Sequence, residues 1–212
     1  AYPDNNPSAN LRKSMPKCQL LIPHRVAMSL IDEGWILRNT IVWYKPNSMP
    51  ESVTDRFSKK YEYVFMFSKQ KNYYFNLDAV RESFSNETFA RCKRGYESDD
   101  KVYDENYNSE KHKNHAIKVL SGEAKGKNPG DLWSIPTQPS SDSHYAMWPE
   151  KLVKKMILCS TKAGDIVCDP FCGSATTGKV TIQLQRKFIG IDLGYSDIQG
   201  RKTTNVQVDL MI

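Results

Sequence analysis

Hydrophobic and polar positions fall into two ordered stretches separated by a polar one. In the first, Ile36 to Tyr44 (ILRNTIVWY) is rich in β-branched and aromatic residues and ends before Pro46, which predicts a strand. Tyr61 to Ser68 (YEYVFMFS) is a nearly continuous apolar run, of the kind buried on both faces of a sheet. Ahead of them, Arg25 to Ile31 sets Val26 with Leu30 and Ala27 with Ile31 at i, i+4 spacing, a short amphipathic helix that Gly34 stops. A polar connection with prolines at 46 and 50, Lys45 to Lys60, joins the two strands. Helix and strands of this sort predict an α/β sheet.

Ordered patterning resumes after the turn Asn128-Pro129-Gly130, with a polar break at Ser140 to Ser143. Pro149 opens a helix, Glu150 to Cys159, whose stripe is Leu152 with Met156 and Val153 with Ile157; Ala163-Gly164-Asp165 ends it. Ile166 to Cys168 reads as a strand, Phe171 to Gly178 as a loop, Lys179 to Leu184 as a helix and Arg186 to Leu193 (RKFIGIDL) as the next strand. The chain therefore divides into 1–80, 81–128 and 129–212, the outer parts folded and the middle one polar.

That middle zone holds ten Lys or Arg and nine Asp or Glu with few aliphatics, so it adds little core. Phe84, Phe89, Tyr96, Tyr103 and Tyr107 are interleaved with the charges, and cations among aromatics can make a nucleic-acid surface. Composition alone favours a solvated insertion.

Charge and composition narrow the classes further. The 212 residues are 39% hydrophobic and carry 30 Lys plus Arg against 24 Asp plus Glu, a net +6. With an isoelectric point near 9.0, the chain leans toward a polyanionic partner. No run approaches the roughly 18 apolar residues of a membrane span, and Ala1 to Asn10 contain no secretory h-region. Cys18, Cys92, Cys159, Cys168 and Cys172 are odd in number and form no C-x-x-C pair; His24, His112, His115 and His144 are scattered. Neither a disulfide framework nor a metal site is expected, and a reducing cytoplasm is the expected setting.

The most informative stretch is Cys168-Asp169-Pro170-Phe171-Cys172-Gly173-Ser174-Ala175-Thr176-Thr177-Gly178. Small residues between a strand and a helix let a ligand approach the backbone, and the helix start offers unpaired N–H groups. Asp192 follows at the end of the next strand, where one carboxylate can grip both ribose hydroxyls. The alternative is a plain β-α turn, with Asp192 a cap or surface charge. A nucleoside-triphosphate loop is disfavoured: Gly173, Gly178 and Lys179 are spaced correctly, but Val180 stands where Ser or Thr would hold magnesium.

DPFCGSATTG resembles the cofactor motif DPF-x-GSGTTG of the amino-directed (N4-cytosine or N6-adenine) DNA methyltransferases, and RKFIGIDL resembles the strand that follows it with its acidic ribose ligand. Upstream, GDLWSIPTQPSSDSHYAMWPEKLVKKMI is similar to the family segment that holds the methionine part. GWILRNTIVWYKPNSMPESVTDRFSKKYEYVFMFSK is similar to its strand–loop–strand block beside the target base. The order is that of the permuted class, with the catalytic half first.

The resemblance implies a Rossmann-like S-adenosylmethionine-dependent methyltransferase sheet with a polar insertion. Residues 1–80 would be the catalytic half, 81–128 the target-recognition insertion and 129–212 the cofactor half. By the same carry-over Asp169, Pro170, Phe171, Cys172, Gly173, Ser174, Thr176 and Thr177 would cradle S-adenosylmethionine, and Asp192 would hold its ribose. Ser143, His144, Tyr145 and Ala146, with Trp148 beyond them, would close over the methionine end, Trp148 having core packing as its equal alternative. Lys45, Asn47, Ser52 and Arg56 would lie on the target-base side, with Arg91, Lys93 and Arg94 on double-stranded DNA.

Two departures stand out. Ala175 replaces the middle glycine of the loop, which matters if the local φ is positive. The family's Asp/Asn/Ser-Pro-Pro-aromatic tetrapeptide is absent, so the sheet is expected to be N-terminally incomplete and the chain alone inactive. The expected activity is site-specific DNA methylation in a prokaryotic or phage restriction-modification system, with cytosine N4 named before adenine N6. A homodimer, a missing N-terminal segment or a partner chain stays open, and a non-catalytic cofactor- or DNA-binding fragment is the alternative.

Overall fold

The structure is a computed structural model that describes residues 17–97, 109–138 and 148–192. Two compact units emerge, 1–42 with 62–73, and 43–61 with 74–212. The expected closing segment Ser143, His144, Tyr145, Ala146 and the polar break before it lie outside the described residues, as do Tyr103 and Tyr107.

In the first unit α1 (Ile22–Asp32) leads into β1 (Ile36–Tyr44), whose neighbour is β2 (Tyr61–Ser68). Both strands have the predicted bounds. The helix begins three residues early, with Pro23 in its first turn, and Gly34 at φ +85° ends it. Its packed face also differs from the expected one. Only Ala27 is buried, between half-buried His24 and Leu30, whereas Val26 and Ile31 are exposed. The His24 ring explains this, because it sits edge-on to Tyr63 at 4.5 Å and to Phe65 at 5.7 Å. β2 is not buried on both faces either. Among the described residues its strand neighbour is β1, and along β2 Ser68 is buried, Tyr63 to Phe67 are half-buried and Tyr61 is exposed.

In the second unit, the short strand β3 (Leu132–Ser134) lies hydrogen-bonded beside the end of β1. The Tyr44 carbonyl accepts from Ile135 N–H at 3.1 Å, and the Trp43 indole donates to the Ile135 carbonyl at 2.8 Å. Asn128-Pro129-Gly130 is the expected turn, closed by the Asn128 side chain accepting from Gly130 N–H.

The polar zone 81–128 is a helical hairpin. α2 (Asn86–Glu97) packs on α3 (Ser109–Leu120), and neither helix was legible in the charge-rich sequence. Ala116 and Val119 are buried, so the insertion has a small core of its own. Phe84 meets Phe89 at 6.1 Å and His115 at 6.3 Å, both edge-on. Its neck is a two-way backbone pairing, Glu82 N–H to Lys127 carbonyl at 3.0 Å and the reverse at 2.9 Å. Lys155 from the next helix donates to Glu82 at 3.3 Å while lying over the Trp133 ring at 4.7 Å.

The rest is an α/β layer. α4 (Glu150–Ser160) precedes β4 (Ile166–Asp169), α5 (Thr176–Gln183) and β5 (Lys187–Gly190). β4 and β5 pair in parallel, with Ile166 opposite Lys187 and Asp169 opposite Gly190. Val153, Ile157 and Val180 form the core cluster, with Met156, Val167 and Leu184 packed against it. Each fully buried aliphatic here contributes about 1.5–3 kcal/mol relative to exposure. The predicted stripe of α4 is therefore the packed one. A right-handed crossover between adjacent parallel strands brings the C-terminal end of β4, the start of α5 and the residues after β5 to one edge.

Candidate functional site

That edge carries the loop. α5 begins at Thr176, three residues before the predicted start, so Thr176, Thr177 and Gly178 are its first turn rather than loop. The cause is Ala175, which stands in the left-handed region at φ 58°, ψ 33° and turns the chain into the helix. Lys179 N–H then reaches the Ala175 carbonyl at 3.0 Å, while Ala175 N–H closes a turn on the Cys172 carbonyl at 2.8 Å. A left-handed residue with a Cβ costs roughly 1–2 kcal/mol. The Ala175 methyl is buried, which offsets part of that cost. Ala175 has no side-chain acceptor with which to cap α5, so the N-cap residue itself leaves the first amides of the helix unsatisfied.

Asp169 and Asp192 shape the loop from opposite strands. Asp169 Oδ1 accepts from Phe171 N–H at 3.0 Å, a local turn that sends Phe171 outward, 87% exposed. Asp192 lies two residues beyond β5 rather than within it, and its Oδ2 accepts from Gly173 N–H at 2.9 Å. Backbone bonds from Ile191 N–H to Asp169 and from Cys172 N–H to Ile191 tie the same ends together. Between the carboxylates sits buried Cys172. Burial pushes its thiol above the ordinary range, and the charges of Asp169 and Asp192 push it further in the same direction. A raised thiol stays protonated at neutral pH. Ser174 is buried, Thr176 and Thr177 are half-buried, and Pro170 is exposed. Among the described residues, a Cβ on Gly173, which stands at φ +47°, would meet nothing within 4 Å.

Beneath the loop the layers meet at Phe188. A Cβ on Gly178 would lie 2.6 Å from its Cε1, and one on Gly190 would lie 2.7 Å from the same atom. Sequence reading took Gly178 for a loop residue; its role is close helix–strand packing. Lys179 bonds Glu150 at 2.6 Å, which ties the start of α5 to that of α4. Trp148 is half-exposed, not core.

On the proposed target-base side the β1–β2 connection is braced. Asn47 Nδ2 donates to the Thr137 carbonyl at 2.9 Å, and its Oδ1 accepts from Thr137 N–H at 2.8 Å. Lys45 lies over the Trp43 ring at 4.5 Å. Arg56 donates to Glu51 at 2.8 Å and to the Phe57 carbonyl at 3.1 Å; that guanidinium holds the Glu51 carboxyl below its usual range. Ser52 is exposed. Arg91, Lys93 and Arg94 are exposed on α2, where Arg91 and Arg94 share a face and Lys93 points away from it. The aromatics near them are partly spent on the hairpin, since Phe84 packs on Phe89.

The sequence pattern of the N6/N4 DNA methylase family matches residues 6–199. The Type II methyltransferase M.Cfr9I of Citrobacter freundii is 35% identical over 200 residues, covering 91% of this chain and 54% of the relative. The PvuII DNA methyltransferase (cytosine-N4-specific) shares the fold with a TM-score of 0.59 at 20% identity, covering 92% of this chain and 61% of that one. The M1.HpyAVI–SAM complex does so with 0.54 at 23% identity, covering 88% and 71%. The chain spans about half the length of the curated relatives it matches.

Proposed function

Because the chain belongs to the N6/N4 DNA methylase family, we propose that it serves site-specific methylation of double-stranded DNA in a restriction-modification system, at an exocyclic amine of a base. Cytosine N4 is named ahead of adenine N6. The observation that carries the reading is the Asp192–Gly173 bond, which sets a carboxylate against the loop that opens α5.

The residues fit S-adenosylmethionine. When bound, that cofactor supplies a methyl group on a sulfonium centre. The Gly173 backbone and the first amides of α5 offer close approach and donors. A carboxylate has about four lone-pair sites, so Asp192 can keep Gly173 N–H and still accept from two ribose hydroxyls. Phe171 offers an exposed apolar face beside them, and Thr176 and Thr177 offer hydroxyls. Cys172 and Ala175 lie below as packing.

For the substrate, residues 45–60 form the target-base side and 81–128 the DNA-reading insertion. The support is a set of exposed cations on α2 and a braced loop, with a net charge of +6 overall. An amine inside the duplex is out of reach, so the base leaves the stack. Calorimetric titration of the chain with S-adenosylmethionine, then tritiated methyl incorporation into duplex DNA and into RNA by the chain alone and by a form supplied with the family's tetrapeptide segment, tests the reading. Absence of cofactor binding would refute it, and preferential transfer to RNA would refute the substrate. Nucleoside analysis of the product separates N4-methylcytosine from N6-methyladenine.

A further inference from the structure

The insertion 81–128 leaves and rejoins the α/β layer through a neck whose two strands are locked to each other. Glu82 and Lys127 exchange both backbone hydrogen bonds. Asp78 takes Arg81 at 2.7 Å and Lys125 at 2.5 Å, and the Arg81 guanidinium also donates to the Gly126 carbonyl at 2.9 Å. Gly126 admits this closeness, because at φ +116° a Cβ there would stand 2.5 Å from the Glu82 carbonyl oxygen.

These bonds make the neck one piece but do not fix where the hairpin points. Its direction is set against α4. Asn76 N–H bonds the Cys159 carbonyl at 2.8 Å, and the short 3₁₀ turn Asp78–Val80 packs on α4. One helical turn back from Cys159, Lys155 donates to Glu82 at 3.3 Å. Glu82 thus anchors the entering strand just before α2 opens at Asn86.

The Lys155 side chain is 15% exposed, with its ammonium over the Trp133 ring at 4.7 Å. Trp133 is itself pinned, its indole donating to the Gly130 carbonyl at 3.0 Å. A methionine would cover the same ring without the cost of withdrawing an ammonium from water. What the charge adds is direction, since a shielded ammonium accepts a carboxylate in one place and Glu82 occupies it. The start of α4 holds that of α5 through Glu150 and Lys179. One helix therefore carries both the cofactor loop's helix and the insertion.

We propose that Lys155 is a positioning residue, which through Glu82 sets the placement of the insertion relative to the cofactor loop. The inference rests on the DNA reading above and deepens it by naming what holds the DNA-reading part in register with the methyl donor.

The test compares wild type, Lys155→Met, Lys155→Arg and Glu82→Ala as whole chains with S-adenosylhomocysteine present. Anisotropy on a fluorescein-labelled mixed-sequence DNA duplex is followed over a potassium chloride series. Lys155→Met and Glu82→Ala should each weaken binding about tenfold, as when the placed hairpin falls to about a tenth of the population. The salt slope should match wild type, and Lys155→Arg should restore most of the affinity. The opposite charge changes separate placement from attraction. Were the two side chains only charges felt by the phosphates, losing the carboxylate would strengthen binding and losing the ammonium would lower the slope by about 0.9. Either result overturns the positioning role.

Double electron–electron resonance reads the placement directly. Nitroxides go on Asn114→Cys of α3 and Lys151→Cys of α4, both exposed positions, with Cys18, Cys92 and Cys168 replaced by serine. The distance distribution should be narrow in wild type and Lys155→Arg and broad in the other two, with thermal unfolding and S-adenosylhomocysteine affinity unchanged. A lowered Tm with a distribution as narrow as wild type overturns the proposal and makes Lys155 a stabilising residue only. A wild type that binds the cofactor but no duplex overturns the DNA reading, and the distance distributions then decide the joint by themselves.

Discussion

Phe188 is gripped by two glycines from different elements, and replacing one has a sign that depends on the ring. At Gly178, within α5, an added methyl would sit 2.6 Å from Cε1 and 2.8 Å from Cδ1 of Phe188. The ring cannot retreat toward β5, because Gly190 approaches the same Cε1 from that side, and it is 92% removed from solvent at 8% exposure. Overpacking of a pinned core ring costs about 3 kcal/mol, the upper part of the usual range. Alanine in place of a helical glycine returns about 1 kcal/mol of propensity. Gly178→Ala should therefore destabilise by about 2 kcal/mol, a fall of roughly 4–8 °C in Tm for a chain of this size. In a Phe188→Leu background the clash disappears and the propensity remains, so the same substitution should stabilise by about 1 kcal/mol. Urea unfolding of the four proteins, followed by tryptophan fluorescence, measures a coupling of about 3 kcal/mol. If Gly178→Ala costs the same with leucine at 188 as with phenylalanine, the ring is not what the glycine accommodates, and the packing argument fails.

Asp192→Ala should weaken S-adenosylmethionine binding by about 1–3 kcal/mol, roughly 5- to 150-fold, in calorimetry. Asp192→Asn retains an acceptor for Gly173 N–H and should lose less than the alanine variant but still lose affinity; full affinity in the asparagine variant would mean that Asp192 acts through the loop alone. On α2, Arg91→Ala with Arg94→Ala should flatten the slope of log affinity for duplex DNA against log salt by about 1.8, two phosphate contacts' worth, with Lys93→Ala changing it less. An unaltered slope would remove that face from the DNA. The Cys172 thiol, raised by burial and by Asp169 and Asp192, stays neutral in the folded chain as pH passes its ordinary value of 9.0. Since the unfolded thiol ionises first, stability should fall as pH rises from there, and Cys172→Ala should remove part of that fall in pH-stepped urea melts. Iodoacetamide should label exposed Cys18 and Cys168 well before Cys172, and the reverse order would contradict its placement.

The sequence by itself determined the elements whose signals are local. β1 and β2 have their predicted bounds because β-branched and aromatic runs bounded by polar, proline-bearing segments leave little else for the backbone to do. α4 was legible through Pro149 and its apolar stripe, and the α/β class followed from the succession of elements. The cofactor loop was legible too, since small residues between a strand and a helix leave their mark in composition. Tertiary structure decided what depends on distant neighbours. The charge-rich zone carries two helices packed on each other, with Phe84 edge-on to Phe89 and His115 and with Ala116 and Val119 buried, contacts with no simple periodicity. α1 turned a histidine face inward because two aromatic rings of β2 awaited it. Ala175 took a left-handed conformation that its residue type does not favour, since the neighbouring turn and buried methyl over-determine it. Asp192 found Gly173, Asn47 found Thr137 and Lys179 found Glu150 only once parallel pairing and the β1–β3 contact had brought remote segments together. Hydrogen bonds and ion pairs between such segments are set by three-dimensional register, and no spacing along the chain encodes them.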